Sequence, residues 1–252
     1  MSDDILRRAI EAEARDQTFP DGRPGRFLSG AALVSLGERF GTAPRDVEIA
    51  ALEAGVCPLR YARNLRAFTM AEQARLLTST VAQVGLGGLG GGILENLVRA
   101  GVGTLNAADG DVFEETNLNR QLLSSCDGLG VPKAVMATRR ARAVNPSVTF
   151  TARNAFLDAA GMMDLLTGAD IVVDALGGLA DRPALAAAAK AHSLPLVTGA
   201  VAGYTALVAT VLPGDPSPFT LFSGGGGTAA EEVLGCPSPA VMLKTGSRVE
   251  ES

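Results

Sequence analysis

Residues Val81 to Ala100 read VAQVGLGGLGGGILENLVRA: a short apolar strand, the glycine series Gly85, Gly87, Gly88 and Gly90, then a helix with one apolar face. Strand, tight turn and helix are the repeating unit of a doubly wound, mainly parallel α/β sheet. Gly85 lets the chain turn sharply, Gly87 and Gly88 let backbone N–H groups approach phosphate oxygens, and Gly90 lets the helix lie close to the sheet. The stretch therefore reads as a nucleotide-phosphate site. Gly-x-Gly-x-x-Gly fits NAD, FAD and ATP equally, so the residues that follow decide between them.

About 20 residues on, Thr104 to Asp109 (TLNAAD) gives a second short strand ending in a carboxylate that can bond ribose hydroxyls. A dehydrogenase would look the same to this point. The chain then continues through Asp109, Asp111, Asn117, Asn119, Arg120 and Gln121 to Lys133, in Gly130-Val-Pro-Lys133. Two fixed cations beside a phosphate loop suit a triphosphate better than a hydride carrier.

GLGGLG, then DGD, NLNRQ and G-x-x-K together resemble the adenylating enzymes that activate ubiquitin-like proteins, the family of MoeB, ThiF and HesA, over about residues 60 to 242. The resemblance implies ATP and Mg²⁺ as cofactors, with Asp109 on the ribose and Asn117, Asn119, Arg120 and Lys133 around ribose and phosphates. Arg60-Tyr61-Ala62-Arg63 resembles the family's R-Y-x-R segment, which makes Arg63 a candidate finger reaching ATP from a partner subunit and implies a homodimer. The implied reaction is attack by the C-terminal Gly-Gly carboxylate of a ubiquitin-like sulfur carrier on the α-phosphate of ATP. Such chemistry needs positioning and charge neutralisation more than covalent help, and Arg63, Arg120 and Lys133 suit it.

The sequence departs from the family pattern in three places. Where relatives carry D-x-x-D-N after the fourth strand, Ile171 to Arg182 reads IVVDALGGLADR; Gly177 and Gly178 replace Asp and Asn, leaving Asp174 and Asp111 as candidate Mg²⁺ ligands. This opens a second reading, a nucleotide- and carrier-binding protein with weak or lost catalysis. The two C-x-x-C pairs of many relatives are missing, so no zinc site is expected. Cys236 falls where some relatives have a cysteine in the loop over the carrier tail, which allows a thioester or persulfide role; a small residue at a turn is the plainer reading. The segment from Gly235 resembles the start of the family's closing helix and strand, which the sequence does not complete before Ser252.

Composition fits an α/β protein of the cytoplasm. Nearly half of the 252 residues are apolar, enough for a substantial core. No apolar run approaches the ~20 residues that span a membrane. A net charge of −5 and the absence of Trp argue against nucleic-acid binding. Three isolated cysteines, Cys57, Cys126 and Cys236, do not make a disulfide framework.

The chain reads as an N-terminal helical extension, 1–58, and an adenylation domain, 59–252. The extension is expected to hold a helix over 3–16, a Pro/Gly loop over 19–26, and helices over 31–40 and 44–54, the last with Thr42 as N-cap and Gly55 just past its end. Strands are then expected near 80–85, 104–109, 147–152, 169–174 and 195–200, with helices near 88–101, 132–144, 158–167 and 180–192. Antiparallel pairing follows near 205–211. His192, ending a helix, and Glu114 and Glu115, on a loop, need no catalytic reading. A nicotinamide-dependent oxidoreductase stays open as a third class, one that leaves Asn117, Arg120 and Lys133 without a purpose.

Overall fold

A computed structural model describes residues 3–202 and 205–216. Over these residues the chain divides into two compact units. The first holds the N-terminal residues to Ser79 together with Glu95–Leu105 and Arg139–Phe150. The second holds Thr80–Leu94, Asn106–Thr138 and the described residues from Thr151 on.

The first unit begins with α1 (Asp3–Glu13), followed by strands β1 (Arg15–Thr18) and β2 (Pro24–Leu28), helices α2 (Gly30–Phe40) and α3 (Pro44–Glu53), and strand β3 (Val56–Pro58). The strands form a sheet of order β1-β2-β3, antiparallel then parallel. This corrects the expected loop over 19–26 and the helix drawn out to residue 16. Tertiary packing explains the difference. Phe27 and Leu28 are buried, and the Phe19 and Phe27 rings lie 4.6 Å apart between centroids, so a Pro/Gly-bearing stretch becomes a strand once its two apolar residues have a core to enter. The α2 helix starts at Ser29, whose hydroxyl accepts the Ala32 N–H, and stops at Gly41 in the left-handed region. The start of α3 is set differently from the expectation: Ala43, not Thr42, is the N-cap, with no side-chain bond, and Pro44 supplies the pre-set φ at the first turn. Helix α4 (Met70–Thr78) carries a capping box between Thr69 and Glu72.

The second unit carries the phosphate loop. Strands β4 (Thr80–Val84), β5 (Thr104–Ala108), β6 (Thr149–Arg153), β7 (Ile171–Asp174), β8 (Leu196–Ala202) and β9 (Thr205–Val211) form a six-stranded sheet of order β6-β5-β4-β7-β8-β9, mostly parallel. β4 pairs with β7 and β7 with β8 in parallel, while β9 returns antiparallel along the whole of β8. Helices α5 (Gly88–Ala100), α6 (Lys133–Val144), α7 (Ala159–Leu165) and α8 (Arg182–Ala191) alternate with the strands, as the sequence spacing predicts. Val84, Val172, Leu166, Leu185 and Leu196 form one buried cluster. Because β5 lies on one side of β4 and β7 on the other, the strand order reverses at β4, and in such sheets a crevice opens beyond the strand ends at that point.

Candidate functional site

A cavity of about 900 Å³ opens in the second unit, lined by the loops after β4, β5, β6 and β7 and by β8 itself. Gly85, Gly87, Gly88, Asp109, Asp111, Asn117, Arg120 and Lys133 all line it, so the structure brings together most of the residues the sequence singled out. The glycine loop is built as its sequence demands. Gly85 has φ +97°, and a Cβ there would collide with the Ala175 carbonyl; a Cβ on Gly90 would collide with the carbonyl of Gly85. Gly87 and Gly88 have room, with only the Gln121 and Arg120 side chains and the Arg120 carbonyl near. Gln83, buried in the middle of β4, donates from Nε2 to the Gly85 and Gly90 carbonyls at 2.9 and 2.8 Å and ties the two ends of the loop.

Asp109 holds the loop from the opposite side. Its Oδ2 accepts the Leu86 N–H at 2.7 Å and its Oδ1 the Asp111 N–H at 2.9 Å. Lys133 opens α6 with its side chain buried, its Nζ 2.8 Å from Asp111 Oδ2 and 6.0 Å from the Phe113 ring centre. Asp111 therefore braces Lys133. Asn117 is buried and accepts the Glu114 N–H at Oδ1, closing a single 3-10 turn, Glu115–Asn117. Arg120 is exposed; its Nη1 donates to the Thr116 carbonyl at 2.8 Å and to Asn119 Oδ1 at 3.1 Å, which is the placement found for Asn119.

Asp174, at the end of β7, is only 1% exposed. Its Oδ2 accepts Arg182 Nη1 at 2.8 Å and the Thr198 hydroxyl at 2.7 Å, and its Oδ1 accepts the Leu176 N–H at 3.1 Å. Arg182 also donates to the carbonyls of Leu176, Gly178 and Gly199, pinning the loop after β7 to β8. Burial pushes the Asp174 carboxyl upward, and the Arg182 guanidinium beside it pulls it back. The Asp174 carboxyl is thus enclosed by hydrogen-bond donors, one of them a guanidinium. That set does not suit a hard cation: both Asp174 oxygens are committed, one of them to a positive charge, and Gly177 offers no side chain. Among the described residues no group of three His, Cys, Asp or Glu could hold a metal ion. As they stand, the Asp174 oxygens are taken up by Arg182, Thr198 and the Leu176 N–H, and Asp111 is paired with Lys133.

Three site features escaped the sequence reading. Gln83 and Arg182 are polar residues inside apolar or helical patterns, and their burial was the missing signal. Phe156, after β6, is 79% exposed at the rim of the cavity, with its ring against Gly110. Arg63 is not among the cavity's lining; it lies exposed in the first unit. Cys236 lies outside the described residues, as do the four-glycine run from Gly224 and the segment from Gly235. Cys57 is buried and its thiol pushed up to about 12 by desolvation, which makes it inert at neutral pH. His192 lies with Nε2 2.9 Å from the Met163 carbonyl, a structural contact.

Residues 61–237 match the ThiF family. The chain belongs to that family. It is 37% identical over 150 residues to the SAMP-activating enzyme E1 of Haloferax volcanii, covering 60% of this chain and 56% of that one. It is 40% identical over 144 residues to the molybdopterin-synthase adenylyltransferase of Escherichia coli, covering 56% and 58%. Among solved structures, the E. coli tRNA N6-threonylcarbamoyladenosine dehydratase in complex with ATP superposes with a TM-score of 0.56 at 28% identity, over 58% of this chain and 61% of that one. The chain thus spans a little over half the length of these ThiF-family relatives. No helix among the described residues is long and apolar enough to cross a membrane.

Proposed function

We propose that this ThiF-family chain is an adenylyltransferase that uses ATP to activate the C-terminal Gly-Gly carboxylate of a ubiquitin-like sulfur carrier. The observation that carries the reading is one cavity lined together by a glycine loop, Asp109, Arg120 and a buried Lys133. A carboxylate oxygen of the carrier bonds to the α-phosphorus, the bond from that phosphorus to the bridging oxygen breaks, and pyrophosphate leaves with the electron pair. Bound ATP supplies the phosphoanhydride that makes the step favourable. The chain's residues supply position and charge: loop amides at the N-terminus of α5 and the Lys133 ammonium face the phosphates, Asp109 is within reach of the ribose, and Arg120 follows the charge building on the phosphoryl oxygens. Asp111 releases Lys133 to the incoming anion, exchanging one charge-assisted contact for another.

In this reading two copies pair, each offering Arg63 to the other's nucleotide, and the enzyme works in the cytoplasm. Asp174, held by Arg182 and Thr198, is not assigned to Mg²⁺ in this reading. That same observation favours one alternative, a protein that binds nucleotide and carrier without turnover. Exchange of labelled pyrophosphate into ATP, dependent on a small Gly-Gly-ended carrier from the same genome, tests the two against each other. Exchange establishes reversible adenylation; ATP binding without exchange assigns the docking role; stabilisation by NAD and not by ATP returns the chain to the oxidoreductases.

A further inference from the structure

Arg63 stands on an unusually well-fixed piece of backbone. Two residues before it, Tyr61 is fully buried; its hydroxyl donates to Glu48 Oε2 at 3.2 Å and accepts Asn145 Nδ2 at 3.0 Å, while Asn145 also donates to the Val98 carbonyl at 3.0 Å. The ring lies so close to Gly101 that a Cβ there would come within 2.7 Å of it. One residue after Arg63, Asn64 donates to Gln73 Oε1 at 2.9 Å and to the Ala100 carbonyl at 3.2 Å, and Gln73, itself buried, donates to the same carbonyl at 2.8 Å. Arg60 is held too, 3.6 Å from Glu48 Oε1 and bonded to the Val144 carbonyl.

Between these anchors the Arg63 side chain is exposed and makes no hydrogen bond or ion pair among the described residues, in a chain whose acidic residues outnumber its basic ones. Some arginines find carboxylates, as Arg23 does on Asp21, Arg140 on Glu95 and Arg153 on Asp164; Arg63 is among those that do not, and it stands between buried anchors. A cation held clear of its own chain on a fixed backbone loses less freedom when an anion arrives, which is how preorganisation raises affinity.

We infer that Glu48, Tyr61 and Asn145 are positioning residues that hold Arg63 for the triphosphate bound by a second copy, so that the N-terminal helices serve nucleotide chemistry through the Glu48–Tyr61 contact. The inference rests on the adenylation reading. Its consequence is energetic coupling. Removing the Tyr61 hydroxyl should matter only while Arg63 is present to be positioned, whereas a purely structural role would cost the same in either background.

The test is a double-mutant cycle of Tyr61→Phe and Arg63→Ala, followed by calorimetric ATP affinity and pyrophosphate exchange well below each variant's melting midpoint. Glu48→Gln replaces Tyr61→Phe if that variant does not fold. Arg63→Ala should lower exchange about tenfold or more and Tyr61→Phe about threefold or more, with the double variant no worse than Arg63→Ala alone. Equal factors in both backgrounds, or no effect of Tyr61→Phe, overturn the positioning role and leave the adenylation reading intact. A wild-type chain that binds no ATP overturns both. If it binds ATP without exchanging, the cycle is read in affinity, where additive losses again overturn the inference.

Discussion

Two pairs of glycines stand around one cavity for opposite reasons. Gly85 and Gly90 have no room for a Cβ, which would strike the Ala175 and Gly85 carbonyls, and Gly85 adopts a positive φ besides. Gly177 and Gly178 are exposed, have ordinary φ, and a Cβ on either would meet nothing within 4 Å. The first pair is demanded by the backbone, whereas at the second a side chain would fit. Glycine in a site is required by geometry in one case and not in the other, and the space around the Cβ position tells them apart.

If the first pair is steric, Gly90→Ala should be severely damaging, costing about 3 kcal/mol or more because neither the Gly85 carbonyl nor the Gln83 amide that binds it can move without opening the loop. The urea midpoint should fall at constant slope. A loss under about 0.5 kcal/mol would mean the loop is not the close-packed unit described. Next in size, Lys133→Ala and Arg120→Ala should each remove roughly 2 to 4 kcal/mol of transition-state stabilisation, read from the exchange rate. Lys133→Ala should also cost some stability, because Lys133 is buried against Asp111 and Phe113; the exposed Arg120 should not. Full turnover in either variant removes that residue from the catalytic set.

The second pair makes the converse prediction. Gly177→Asp should change folding stability by no more than about 0.5 kcal/mol, since the carboxylate projects into open space at the cavity wall. It should steepen the dependence of exchange on Mg²⁺ if the position is a metal site with its ligand deleted. A large loss of stability would show that Gly177 is there for the backbone after all, and an unchanged Mg²⁺ profile would show that no metal ligand is missing at that position.

How much of this the sequence disclosed follows the same division. The alternation from Thr80 to Ala202 was legible almost residue by residue, because apolar strands, glycine turns and amphipathic helices are local signals. The cavity's cations and glycines were legible because their spacing is a pattern in one dimension. The β1-β2-β3 sheet was not, since Arg15–Thr18 is an exposed polar strand that exists only by pairing with Pro24–Leu28. Nor was the fate of Asp174. Its sequence neighbours suggest a metal ligand, and only the fold brings Arg182 and Thr198 to its two oxygens.

Asp174 has a counterpart in the first unit, and the contrast gives the mildest prediction. Glu48 is equally buried, but its cation, Arg60, is 3.6 Å away and its Oε1 has no hydrogen bond. Burial, the largest influence, raises the Glu48 carboxyl above its ordinary value, with Arg60 and the hydroxyls of Ser147 and Tyr61 opposing. A carboxyl raised on folding binds its proton more tightly in the native state, so its contribution is fully present below the unfolded pKa and is lost as pH rises through the folded one. Glu95, held low first by its hydrogen bond to Arg140, works in the opposite sense, its contribution disappearing as pH falls. Whole-protein pH curves mix the two, whereas the difference between wild type and Glu48→Gln isolates one. That difference should favour wild type most in acid and shrink steadily toward neutral pH. A difference that grows with pH would mean that Glu48 is stabilised as a carboxylate, with Arg60 a closer partner in solution than at 3.6 Å.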